Sequence, residues 1–245
     1  MPLIASAEQA GVNRRRGQAA DGVTFWHTLY LGTSRYNMPP GTPDPDASAL
    51  FPMAFLVEQD PGSVAHAHYH KADQFQVVVD GRARFGTHDV APVTVHFAGA
   101  YTAYGPICAS EAGVHYFTLR NGFDPGARFM AMAENRIALR AIPQRRHRET
   151  VALLDDAGTA VVLPQEPDGL GAWRYRLKAG EPLRGPSPAT GRGQYWLVLG
   201  GSLRRQGEVY PAGSCAFAFP DEPAFEGIAG PDGLGVLAMQ FPRRS

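Results

Sequence analysis

Apolar and polar residues alternate along much of this chain with a period of two. The runs VTFWHTLYLG from Val23, FPMAFLVEQ up to Gln59, QFQVVV from Gln74, VTVHFAG from Val93 and VHYFTLR from Val114 are rich in aromatic and β-branched residues. Such runs predict strands with one face turned to a core. Turn signals separate them: Asp60-Pro61-Gly62, and Asp80-Gly81, a tight-hairpin pair. Residues 37–48, NMPPGTPDPDAS, hold four prolines, which remove backbone donors and fix φ, so a loop is expected. Residues 1–20 carry little pattern and read as a solvated arm, Arg14-Arg15-Arg16 included. FMAMAENRIALRAI, from Phe129, suits a short helix or an irregular cover. Pro143 with Arg145-Arg146-His147-Arg148 suits a linker.

From Val151 the β pattern returns and repeats the first half. Six residues separate Gln74 from Gly81, and six separate Gln194 from Gly201. AYGPICASEAGVHYFTLR is echoed by AFEGIAGPDGLGVLAMQF, which matches Tyr104 to Phe225 and Gly113 to Gly233. Two all-β units in tandem are expected, over 22–143 and 150–245, behind an arm at 1–21.

Candidate chemistry concentrates in Gly62–Gly81, GSVAHAHYHKADQFQVVVDG. His66, His68 and His70 stand at alternate positions, so on one strand they share a face. Residues i and i+2 lie about 6.7 Å apart on a strand. Their imidazoles can converge on one ion at about 2.0–2.1 Å from each nitrogen. Residues i and i+4 lie about 13 Å apart, too far to share one. His68 belongs to either pair.

The spacing resembles the first motif of the cupin superfamily. Gly62, five residues, His68-x-His70, three residues, Gln74, six residues and Gly81 fill its slots without a gap. Gln74 stands where the family carries an acidic ligand. The resemblance, over roughly residues 22–245, implies an all-β fold of two tandem cupin-type jelly-roll β-barrels, a bicupin. It selects His68 with His70 as metal ligands, leaves His66 nearer a rim, and makes Gln74 a weak neutral ligand or a hydrogen-bond partner. The second motif aligns its histidine with Tyr104, expected as a ligand or an acid/base. Gln76, sharing a strand face with Gln74, is a further catalytic candidate. His27, Tyr69, Tyr101, His96, His115 and Arg84 read as surface or packing residues. The second half has no histidine between Leu177 and Gly201 and reads as a supporting barrel.

The cofactor implied is a divalent metal ion. Iron, manganese, nickel, zinc and copper all accept imidazole and oxygen donors, and these residues do not choose among them. The function implied is a metal-dependent enzyme of the dioxygenase, lyase or isomerase class, acting on a small oxygen-rich or anionic substrate, with the ion as Lewis acid. The alternatives use the same residues without metal: a small-molecule binder, or an isomerase with a histidine base and a tyrosine acid.

Charge narrows the partners. Lys and Arg total 23, Asp and Glu total 23, so nothing draws the chain to nucleic acid. No run approaches the roughly 18 apolar residues of a membrane span, and the start lacks the pattern of a signal peptide. A cytoplasmic location without membrane partners is expected, with a homodimer as a family-based expectation. Cys108 and Cys215 give neither a disulfide framework nor zinc spacing, and read as inert thiols.

Overall fold

A computed structural model describes residues 1–33, 38–143, 147–154 and 158–244. Arg145 and Arg146 of the expected linker, and Asn37 of the expected loop, lie outside the described residues. Two compact units are present. One is Asn13–Leu154; the other joins Met1–Val12 to Asp155–Ser245.

The Asn13–Leu154 unit is built on an antiparallel sheet ordered Glu149–Leu153, Thr94–Ala98, Gln74–Phe85, Ile107–Arg120, Met53–Gln59, Thr24–Leu31 and Arg14–Gln18. The expected strands all form, because their alternation puts one apolar face inward. Phe25, Phe55, Val57, Val78, Phe85, Val114 and Tyr116 join one buried cluster. The expected cover is a helix over Ala133–Arg140.

Three expectations change. Asp80-Gly81 makes no hairpin, since one strand runs from Gln74 to Phe85 and turns only before His88. A β-bulge lies there instead, with the register against Ile107–Arg120 shifting beside Gly81. Gly81 has φ +70°, and a Cβ there would stand 2.3 Å from the Gly113 carbonyl oxygen. A left-handed glycine serves a hairpin or a bulge equally well, so the dipeptide alone does not distinguish them.

Residues 1–21 are folded. Leu3–Ala5 pairs with Cys215–Ala218 in the second unit. Ser6 and Gln9 form a reciprocal capping box that starts the short helix Ala7–Gly11. Arg14–Gln18 is an edge strand on which Arg14 pairs with Glu58 and Arg16 with Asp60. The basic run becomes a strand because Glu58 on Met53–Gln59, Asp60 just beyond it and the Trp26 ring, 3.9 Å from the Arg14 guanidinium, meet it. At the other boundary, Glu149–Leu153 pairs with Thr94–Ala98, so the first unit extends to Leu154.

The histidine stretch is not one strand. Val64–Ala65 and His68–Tyr69 are separate two-residue strands with a bend between them. Val64–Ala65 pairs with Ile107–Arg120, and His68–Tyr69 pairs with Arg128–Phe129. The three imidazoles therefore do not share a face.

The second unit repeats the plan in an antiparallel sheet ordered Leu3–Ala5, Cys215–Ala218, Gln194–Arg205, Glu226–Gln240, Gly171–Leu177 and Ala160–Leu163. The two 12-residue strands Gln74–Phe85 and Gln194–Arg205 correspond. Gln74 faces Arg120 in register, and Gln194 faces Gln240.

Candidate functional site

The first unit holds a cavity of about 690 Å³, its open mouth included. Phe25, Phe55, Val57, Tyr116 and Phe129 give it apolar walls, and His27, His68, His70, Gln76, Tyr104 and Arg120 bring polar groups to it. A mostly apolar pocket with a few convergent polar groups is the usual form of a small-molecule site.

Backbone pairing places two of these, His68 and Tyr104. His68 and Tyr104 exchange both main-chain hydrogen bonds, at 3.1 and 3.0 Å. Their side chains then meet, with His68 Nε2 3.0 Å from the Tyr104 hydroxyl. His68 Nδ1 lies 2.6 Å from the His66 carbonyl oxygen. A carbonyl only accepts, so Nδ1 carries the proton and Nε2 accepts from Tyr104. The Tyr104 oxygen in turn accepts from Gln74 Nε2 at 2.5 Å. Gln74 Oε1 accepts from Arg120 Nε and Nη2 at 3.1 and 3.0 Å.

Arg120 ends the strand Ile107–Arg120 and is buried. Its Nη2 stands 3.1 and 3.2 Å from the two nitrogens of His70. One donor at equal distance from both nitrogens lies against the ring rather than on one lone pair. His70 Nδ1 is 2.8 Å from Asp124 Oδ1. Asp124 also accepts from Lys71 N at 2.7 Å and Gly126 N at 2.8 Å, and lies 3.4 Å from Arg120 Nη1. His70 Nδ1 is therefore a donor, leaving Nε2 as its acceptor.

Burial sets the charge states. Burial, with His70 beside it, brings His68 down to about 3. Burial and the Arg120 charge lower His70 and bring His27 down to about 4. Burial pushes the Tyr104 phenol well up, so it keeps its proton and is a poor phenolate ligand. Burial alone would raise Asp124; the His70 ring, the Arg120 guanidinium and the Lys71 N–H hold it well below the usual carboxylate range. At neutral pH the site thus has neutral imidazoles, a neutral phenol, and one buried Arg120–Asp124 ion pair.

Of the residues expected from the sequence, His68, His70, Gln74 and Tyr104 come together as one hydrogen-bonded group. Gln76 lines the cavity, but its Oε1 is engaged by His96 Nδ1 at 2.8 Å. His66 is exposed and enters only through its carbonyl. His96 is buried, with Nε2 3.0 Å from Glu149. Tyr69 turns away, its hydroxyl donating to the Asn135 carbonyl. Tyr101 and His115 are half-buried, and Arg84 is exposed. Arg120 and Asp124 are absent from the sequence reading. Arg120 had a signal, because Tyr116, Thr118 and Arg120 alternate along one strand and all reach the cavity. A charge at an inward position of an apolar strand marks a site. Asp124 lies in the turn FDPG, where no periodicity points inward.

The donor set suits a divalent ion poorly. Among the described residues no group of three or more His, Cys, Asp or Glu side chains is placed to hold a metal. Two of the expected ligands, His70 and Gln74, have a guanidinium within 3.2 Å.

The second unit has aromatic rings where the first has polar groups. Trp196 stands two positions after Gln194, as Gln76 does after Gln74, and Phe225 stands for Tyr104. The two rings stack at 4.6 Å, both almost fully buried. Gln194 donates to Gln240 at 2.7 Å, an amide pair at the register of Gln74 and Arg120.

No family model and no curated protein matches the chain. Solved structures do. Bacterial pirin YhhW from Escherichia coli in complex with nickel(II) matches with TM-score 0.62 and 14% identity, covering 100% of both chains. A putative dioxygenase from Nostoc punctiforme matches with TM-score 0.66 and 12% identity, over 99% of this chain and 83% of that one. Lactobacillus farciminis oxalate decarboxylase, as a formate complex, matches with TM-score 0.60 and 13% identity, over 99% and 87%. These are cupin proteins, and the likeness extends to the tandem fold.

Proposed function

We propose, for a chain that folds as two cupin units in tandem, that the first unit binds a small oxygen-bearing organic molecule and moves a proton on it with protein groups alone. His70, held by Asp124, is the base. Tyr104 is the acid. The reading rests on one observation: the His70–Asp124 pair and the Tyr104–His68 pair open on the same cavity, with Arg120 between them and Gln74 behind. A neutral imidazole whose Nδ1–H is fixed by a carboxylate offers Nε2 to a proton. The phenol, held protonated by burial, turns its one proton from His68 Nε2 to an oxygen on which charge develops, and the Arg120 guanidinium steadies that charge. Isomerisation next to a carbonyl is the reaction class this serves.

The test is exchange of carbon-bound hydrogen for deuterium in 2-oxo acids and keto sugars, followed by NMR in D2O. Exchange with the wild type, and its loss by about 10²-fold or more in His70→Ala and Tyr104→Phe, is expected. Exchange that persists in both variants would refute the assignment. A substrate that binds without exchange would favour the non-catalytic binder.

A divalent-metal reading has an observation of its own. Both imidazoles are fixed through Nδ1 by oxygen acceptors, an arrangement that metal-ligating histidines also use. Pirin YhhW, similar in fold, is described in complex with nickel(II). Loss of activity on chelation, with recovery on adding one metal, would favour this reading over the first.

A further inference from the structure

We propose that Arg120 is the permanent cation of this site, standing in the place that a bound metal ion would take and excluding one. This deepens the proton-transfer reading, because it names the group that supplies positive charge to a bound anionic or enolate oxygen.

The geometry carries it. A metal held by His70 and Gln74 would approach the ring at about 2.0–2.1 Å from nitrogen. The guanidinium already stands 3.1 Å from Gln74 Oε1 through Nε, and 3.1 and 3.2 Å from the His70 nitrogens through Nη2. A dication there would share two neutral donors with a fixed positive charge in a buried setting, where like charges are screened little. Arg120 is also neutralised from behind, by Asp124 at 3.4 Å. That carboxylate bonds to the outer nitrogen of His70 and faces away from any ion held by Nε2.

Gln74 fits the same picture. Its amide gives a proton to Tyr104 at one end and takes protons from Arg120 at the other. An ionised glutamate accepts only, and with the one phenolic proton directed at His68 Nε2 it would meet the Tyr104 oxygen with no donor between them. The amide in the acidic slot is thus the matching partner of a guanidinium and a phenol. The placement is set by the backbone, because the second unit brings Gln194 and Gln240 together at the same register.

Metal loading tests this separately from the exchange experiment, so either can fail alone. Chelator-treated wild type, His70→Ala, Arg120→Met and the double variant Arg120→Met/Gln74→Glu are dialysed against Mn²⁺ or Ni²⁺ and analysed for metal, with circular dichroism to confirm folding. Wild type is expected to hold no more metal than His70→Ala. The folded double variant is expected to bind about 10- to 100-fold more tightly than wild type, the span that altered partners produce around metal sites. One ion per chain in wild type, lost in His70→Ala, would overturn the proposal. So would a folded double variant that binds no better than wild type. Should the double variant not fold, the comparison of wild type with His70→Ala decides.

Discussion

His27 and His68 are buried as neutral rings, and that state costs stability in acid. An unfolded chain takes up a proton on each near pH 6.5, while the folded protein resists until about pH 4 for His27 and about pH 3 for His68. The unfolded state binds more protons across that window, so stability is full above about pH 6.5 and falls as pH drops toward 4. Each ring contributes on the order of 3 kcal/mol to that loss. Urea unfolding at about pH 7.5 and pH 5 should show the lower value at pH 5, and a His27→Gln variant should flatten the slope. Stability that rises toward pH 5 would contradict the neutral rings. At this scale the sequence was informative where spacing constrains chemistry. His68, His70 and Gln74 were singled out because a motif fixes their intervals, and Tyr104 because the family's second motif aligns its histidine there; the folded chain brings the four side chains together. Asp124 was not, because a turn residue acquires its neighbours only when the chain folds.

The strands were legible because a half-buried strand must alternate, and the runs from Val23, Gln74, Val93 and Val114 do. The details that failed depend on pairing. A glycine at φ +70° is compatible with several backbone features, and only the partner strand shows that Gly81 sits in a bulge. The histidine run alternates as a strand does, yet its halves pair with different partners, Ile107–Arg120 and Arg128–Phe129. The bulge is expected to be intolerant. Gly81→Ala combines a left-handed backbone, costing about 1–2 kcal/mol, with a methyl pressed on the Gly113 carbonyl. A midpoint in urea lowered by more than that cost is the expected outcome; an unchanged midpoint would mean that the two strands can separate locally.

The two halves of the molecule share a plan and differ in what fills it. In the Asn13–Leu154 unit the interior is an open cavity with an ion pair beside it. In the other unit Trp196 and Phe225 stack through the corresponding space. The repeat in the sequence announced the shared plan. That the space is filled by an indole could be read only from the folded chain. Trp196→Ala is expected to cost about 3–5 kcal/mol, as truncation of a large core aromatic does; thermal unfolding measures it. No helix among the described residues is long and apolar enough to cross a membrane.

The stacked indole has an evolutionary consequence. A half whose centre is already solid has little room for new guests, since most changes of size there are felt at once as lost folding. The hollow half can vary Phe25, Val57 or Phe129 at the margin of an existing void and alter what it admits. Changes of size at the cavity wall should therefore be tolerated more readily in the front copy, while the rear copy accepts only residues that keep it full.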